Sequence, residues 1–151
     1  MSDTAVAGER VELAADFVAR FADFWSAPAP GRLDALLAPE VRLVAPLTPT
    51  TRTLADGKRA FASLLRLSPD LTAEVHSWGA TPAGVMIDFT LNGSVSGVGL
   101  RWRAVDRIAL RDDGLASERV SHFDSLPLLL TALRHPRTWP RFLYSQAKRL
   151  G

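Results

Sequence analysis

Between Val11 and Trp25 the apolar residues Ala14, Phe17, Val18, Phe21, Phe24 and Trp25 recur at the spacing of one helix face, which predicts a long amphipathic first helix. The run Ala27-Pro28-Ala29-Pro30-Gly31 stops it, and a short helix over Arg32–Leu37 leads through Pro39 into a strand over Val41–Ala45 that ends at Pro46 and Pro49. A further helix opens at Asp56 and Gly57, carries the stripe Ala60, Phe61, Leu64 and Leu65, and closes at Ser68-Pro69. The period then changes. Strands are expected over Leu71–Ala80, Val85–Asn92, Val98–Leu110 and Leu115–Asp124, joined by turns at Thr81-Pro82-Ala83-Gly84, Asn92-Gly93 and Asp112-Asp113-Gly114. The chain returns to helix over Leu126–Leu133 and Thr138–Arg149, broken at His135-Pro136. Helices followed by an antiparallel meander make an α+β fold, a curved sheet wrapped around N-terminal helices with a cavity between them.

Alternation assigns the faces. In the strand ending at Leu110, the residues Leu100, Trp102, Ala104, Asp106, Ile108 and Leu110 share one side. A lone carboxylate on such a face is costly unless it is paired, hydrogen-bonded or protonated, so Asp106 is the leading candidate for chemistry. Val85, Ile87, Phe89 and Leu91 are expected to line the cavity, while Asp88 points outward with Arg101, Arg103 and Arg107, which can pair with Asp88 or Glu74 across strands. His76 and Trp78 fall on one face of their strand, where the histidine reads as a partly buried core residue.

With 151 residues, 47% hydrophobic and 23% charged, the chain is expected to form one domain over 1–151, with 126–151 as a C-terminal helical extension. It has no cysteine, and His76, His122 and His135 match no metal-ligand spacing, so neither disulfides nor a metal site is expected. The first residues hold Asp3, Glu9, Glu12 and Asp16 and no long apolar run, which argues against a signal peptide and for a cytoplasmic protein. Charge is uneven: residues 125–151 carry Arg134, Arg137, Arg141, Lys148 and Arg149 and no acid, so this stretch holds +5 and the remainder −3 of the net +2. A basic tail reads first as a solvated helix face, and nothing else in the chain has the marks of a nucleic-acid module.

The order of elements, together with Ala104-Val105-Asp106-Arg107-Ile108-Ala109-Leu110-Arg111-Asp112-Asp113-Gly114, resembles the NTF2-like (cystatin-like) superfamily of cone-shaped folds. That group includes ketosteroid isomerase, limonene-epoxide hydrolase and SnoaL-type polyketide cyclases. The ending Glu118-Arg119-Val120-Ser121-His122-Phe123-Asp124-Ser125-Leu126-Pro127-Leu128-Leu129 is similar to the SnoaL-like branch. The resemblance puts Asp106 where the isomerase keeps a protonated aspartic acid in its oxyanion hole. It also puts Ala45 where the isomerase has its base and Phe21 where it has a tyrosine, which speaks against steroid isomerisation. The Asp-Arg-Asp group of the epoxide hydrolases would fall on Phe89, Leu91 and Ser121. By the same resemblance Ser117, Arg119, Ser121 and Phe123 face the cavity.

Two states of Asp106 follow. Either Arg119 neutralises it across the strand pair, as a structural ion pair, or it stays protonated and aims at a substrate oxygen with Arg119 or Ser121 positioning the ligand. The leading functional reading is a SnoaL-like enzyme doing cofactor-free isomerisation or ring closure on an apolar cyclic carbonyl compound. Its catalytic residues would be Asp106, Arg119 and Ser121, its ligand wall Phe21, Trp25, Val85, Ile87, Phe89, Trp102 and Phe123, with Asp124 as a cap of the following helix or a minor acid candidate. The alternative is a non-catalytic ligand-binding or dimerisation module, and the superfamily leads one to expect a homodimer through the outer sheet face. A third reading, ranked below both, docks the basic C-terminal helix on a membrane through Trp139, Phe142, Leu143 and Tyr144.

Overall fold

The computed structural model describes residues 2–141 and 144. Helix α1 (Asp3–Ser26) buries the predicted stripe: Ala14, Phe17, Val18, Phe21, Phe24 and Trp25 are all in the core. It begins well before Val11, because Ala5, Ala7 and Glu9 favour helix and Asp3 suits the positive end of the dipole, yet this first stretch is almost wholly exposed and has no apolar stripe to announce it. The short helix is a 3₁₀ turn over Pro30–Ala35, and β1 (Leu37–Val44) starts earlier than expected and runs through Pro39. Helix α2 (Leu54–Leu67) is capped by Thr53, whose hydroxyl accepts from the Asp56 N–H at 3.1 Å.

Strands β2 (Thr72–Ala80), β3 (Gly84–Val95), β4 (Val98–Leu110) and β5 (Ala116–Phe123) form the expected antiparallel meander. The five-stranded sheet has the order β1-β5-β4-β3-β2, with β1 parallel to β5 at one edge. The sheet is curved and unclosed, and α1 lies across β2 and β3 on its inner face while α2 packs on β1 and the 3₁₀ turn. Val85, Ile87 and Phe89 are fully buried beneath α1, where the Phe21 and Phe89 rings meet edge to face at 5.3 Å. Phe61 of α2 closes the same cluster, 5.4 Å from Phe24 and 5.8 Å from Trp25. Each such aromatic ring contributes roughly 1.5–3 kcal/mol by leaving water, so these contacts hold the helices on the sheet.

The β3–β4 hairpin differs from expectation. Its turn is Ser96-Gly97, both at positive φ (51° and 79°), between the paired Val95 and Val98, which is the backbone a two-residue hairpin loop requires. Asn92-Gly93 is not a turn: Gly93 lies within β3 opposite Leu100, and a Cβ there would stand 2.3 Å from the Ser68 hydroxyl and 3.3 Å from Leu71. The glycine serves close approach of the segment after α2. Gly93→Ala is therefore expected to cost about 1–3 kcal/mol, read as a lower urea midpoint at unchanged slope.

The same corner is fastened by Asp70, which accepts from the Ser94 N–H at 2.9 Å, the Ser94 hydroxyl at 2.7 Å and the Ser68 hydroxyl at 3.1 Å. The Ser94 hydroxyl first, and the Ser94 amide with it, hold the carboxyl below its ordinary 3.8. A group with a depressed folded value stabilises fully above its unfolded value and loses that contribution as pH falls through the folded one. Unfolding free energy measured in urea from pH 5 downward should fall below pH 3.8, and Asp70→Asn should make that fall shallower.

A bulge in β2 separates His76 from Trp78. Val75 pairs with Phe89 and Ser77 with Asp88, so His76 is the extra residue, exposed on the outer face and hydrogen-bonded to the Thr90 hydroxyl at 2.6 Å, whereas Trp78 stands opposite Ile87. The expectation of a partly buried core histidine is thereby corrected. On that outer face Arg103 binds Asp88 through both oxygens, Nε at 2.8 Å and Nη2 at 2.5 Å, and holds the Asp88 carboxyl below its ordinary value. After β5 come α3 (Leu126–Arg134), a 3₁₀ turn at Pro136–Thr138 and helical backbone at 139–141. The rest of the predicted Thr138–Arg149 helix, Phe142 and Leu143 included, lies outside the described residues apart from Tyr144.

Candidate functional site

Asp106 has none of its surface exposed. The β4–β5 register sets Ser121 directly opposite it and Arg119 opposite Ile108, one step along the same inner face. The Ser121 hydroxyl donates to Oδ1 at 2.5 Å, and the Arg119 Nε donates to Oδ2. The pairing expected across the strands is thus present, but it is diagonal for Arg119 and direct for Ser121. Both carboxyl oxygens are engaged, one by a cation and one by a hydroxyl, and the pairing offsets much of the cost of burying this acid.

Arg119 reaches beyond this contact. Its side chain is 29% exposed and it lines a partly open cavity of about 40 Å³, walled by Phe17, Phe21, Phe24, Trp25, Phe61 and neighbouring aliphatic side chains, among them those of the 3₁₀ turn and β1. The volume is close to that of one water molecule. Trp25 is 5% exposed, and its indole N–H finds no acceptor among the described residues. Arg119, the polar side chain among the residues that wall the cavity, is a hydrogen-bond donor, so the space suits a group that presents an oxygen acceptor.

Phe21, Trp25 and Arg119 are brought together as the sequence leads one to expect. Val85, Ile87 and Phe89 are not at the wall; they are packed beneath it in the core, since the α1 rings fill the space in front of them. Trp102 is also absent from this cavity and lines an open groove of about 600 Å³ with His76, Thr90, Arg101 and Arg103. Phe123 is half-buried opposite Ala104 and takes no part in the wall. Ser117 does not face inward: a bulge between Ala109 and Leu110 pairs Leu110 with Ala116, so Ala116 takes the wall position. Asp124 accepts from the Leu126 N–H at 2.9 Å and caps α3. The wall residues missed by sequence reasoning had a signal, because Phe17 and Phe24 share the α1 stripe and Phe61 belongs to the α2 stripe. Among the described residues no three His, Asp or Glu side chains are grouped to hold a metal ion.

Residues 18–118 match the family of SnoaL-like domains, and none of the curated proteins matches the chain. Among solved structures it is similar to a proposed SnoaL-like polyketide cyclase from Jannaschia sp. CCS1, at 16% identity and a TM-score of 0.71 over 81% of this chain and 92% of that one. It is similar to wild-type IdmH of Streptomyces antibioticus, a proposed polyketide cyclase, at 18% identity and a TM-score of 0.67, covering 78% and 96%. A protein of ketosteroid isomerase-like fold from Catenulispora acidiphila DSM 44928 shares 14% identity at a TM-score of 0.65, covering 72% and 85%. At these identities the three structures speak for the fold alone, and they agree with the curved sheet and helices described above. Matched over most of its length, the chain belongs to the SnoaL-like domain family, with the NTF2-like, ketosteroid isomerase-like fold.

Proposed function

We propose that the chain is a small-molecule enzyme that carries out cofactor-free acid/base chemistry, isomerisation or ring closure, on an apolar cyclic compound bearing a carbonyl. The observation that carries this reading is a fully buried carboxyl group, Asp106, tied to an arginine that also lines an aromatic cavity. In this reading Arg119 donates to the ligand carbonyl and stabilises charge that develops on its oxygen. Asp106 is the proton donor of this reading, with Arg119 and Ser121 as orienting groups; being fully buried and not part of the cavity wall, it reaches the ligand only when that wall opens. The cavity's apolar walls would select a flat hydrocarbon frame. Two of the structural neighbours are proposed polyketide cyclases, which supports ring closure among these reaction types. The reading extends to a homodimer through the outer sheet face and a cytoplasmic setting.

A second reading has its own support. A pocket for a drug-sized ligand has about 300–1,000 Å³, the cavity has about 40 Å³, and both oxygens of Asp106 are engaged. A non-catalytic ligand-binding or dimerisation module would need no more than this.

The test is a thermal-shift screen of the wild type against steroids, polyketide-like aromatics, terpenoids and fatty acids near neutral pH. Saturable stabilisation by one carbonyl-bearing cyclic class, and not by its deoxygenated analogue, is the expected result. Stabilisation by fatty acids and hydrocarbons alike would favour the binding module, and no shift with any class would overturn the small-molecule reading.

A further inference from the structure

Helix α3 buries none of its residues, yet it is built like a helix with something to cover. Leu126, Leu129, Leu130 and Leu133 recur at the spacing of a single stripe and are 57%, 46%, 40% and 65% exposed. The chain beyond it is folded back onto the helix. The Trp139 indole N–H donates to the Ala132 carbonyl at 2.6 Å, and Thr138, 1% exposed, donates to the His135 carbonyl at 2.8 Å. This sets the Trp139 ring, itself 44% exposed, beside α3.

Charge completes the pattern. Arg134, Arg137 and Arg141 are exposed and form no ion pair among the described residues. Residues 125–151 hold these three, Lys148 and Arg149 and no acidic residue, against −3 for the remainder of the chain. Nucleic acid would satisfy the arginines but has no use for four leucines. An apolar helix stripe with an interfacial tryptophan and an unopposed cationic border is complementary to an anionic lipid surface, on which apolar side chains enter the acyl boundary and guanidinium groups meet headgroups. No helix among the described residues is long and apolar enough to cross a membrane, so the contact would lie along the surface.

We propose that α3 and the segment after it dock the protein on anionic lipid bilayers. The full chain is mixed at low salt with phosphatidylcholine vesicles, with and without phosphatidylglycerol, and sedimented. Binding to the anionic vesicles alone is expected, weakened by salt. Each arginine near the surface is worth about fivefold in partitioning, so Arg134→Gln/Arg137→Gln/Arg141→Gln should lose about 100-fold. Leu129→Glu/Leu133→Glu should lose at least as much, and because both sites are exposed the melting temperature of either variant should stay near that of the wild type. Absence of wild-type binding to anionic vesicles overturns the proposal, as does binding that neither variant weakens. A dimer that Leu129→Glu/Leu133→Glu dissociates, without vesicle binding by the wild type, would assign the stripe to a second copy instead.

Discussion

Replacing Arg119 by methionine is expected to destabilise the protein by about 3–5 kcal/mol, because it strands a carboxylate that has no exposed surface. Asp106 would keep only the Ser121 hydroxyl, and the methyl thioether cannot replace the Nε–H at Oδ2. For a chain of this length such a loss lowers the melting temperature by roughly 10 °C. The cost belongs to the unpaired acid and not to the arginine as such. The double substitution Asp106→Leu/Arg119→Met removes both charges and should return to within about 2 kcal/mol of the wild type, since a buried pair is often no more stable than apolar groups of similar volume. Urea unfolding of the two singles and the double, treated as a cycle, gives the coupling between the residues. A loss below about 1 kcal/mol for Arg119→Met would mean that the ion pair does not hold Asp106 in place.

Alternation picks out the lone carboxylate in Leu100–Leu110 and separates Arg119, Ser121 and Phe123 from their neighbours, while the choice of the latter row as the inward one is what the family resemblance implies. The β4–β5 pairing brings Arg119 and Ser121 to Asp106. Bulges are what alternation cannot reveal. One extra residue at His76 moves Trp78 opposite Ile87, and another at Ser117 brings Ala116 to the cavity wall, without a distinctive residue type at either place. Gly93 misleads for a related reason: a glycine that makes room for Ser68 and Leu71 looks in the sequence like a glycine that makes a turn. The wall of the cavity is the least legible part. It depends on Phe61 and the 3₁₀ turn meeting α1, a matter of long-range packing, so alternation puts the row Val85, Ile87, Phe89 on the right face but cannot show that the α1 rings stand as a second layer between it and the cavity.

Those two layers decide what Asp106 is for, and Asp106→Asn separates the possibilities. The amide can keep its oxygen on the Arg119 Nε–H and donate its N–H to Ser121, whose hydroxyl rotates to accept. The geometry is therefore retained, and the loss of one charge-assisted bond is expected to cost about 1.5–3 kcal/mol, leaving a folded protein to assay. An amide cannot carry the proton. If Asp106 performs the transfer, turnover of the carbonyl class found in the ligand screen should fall by about 10²–10⁴, while ligand affinity, set in this reading by the aromatic wall and the Arg119 donor, changes little. Rapid-mixing kinetics on the pure proteins, with binding measured separately, would show this as a fall in kcat at near-constant Kd. Equal turnover by both proteins would remove Asp106 from the chemistry and leave it the role its two bonds already perform, which is to hold Arg119 at the cavity wall. Binding without turnover in either protein would instead favour the ligand-binding module, since an arginine facing a ligand oxygen within an aromatic wall suffices to orient it but moves no proton.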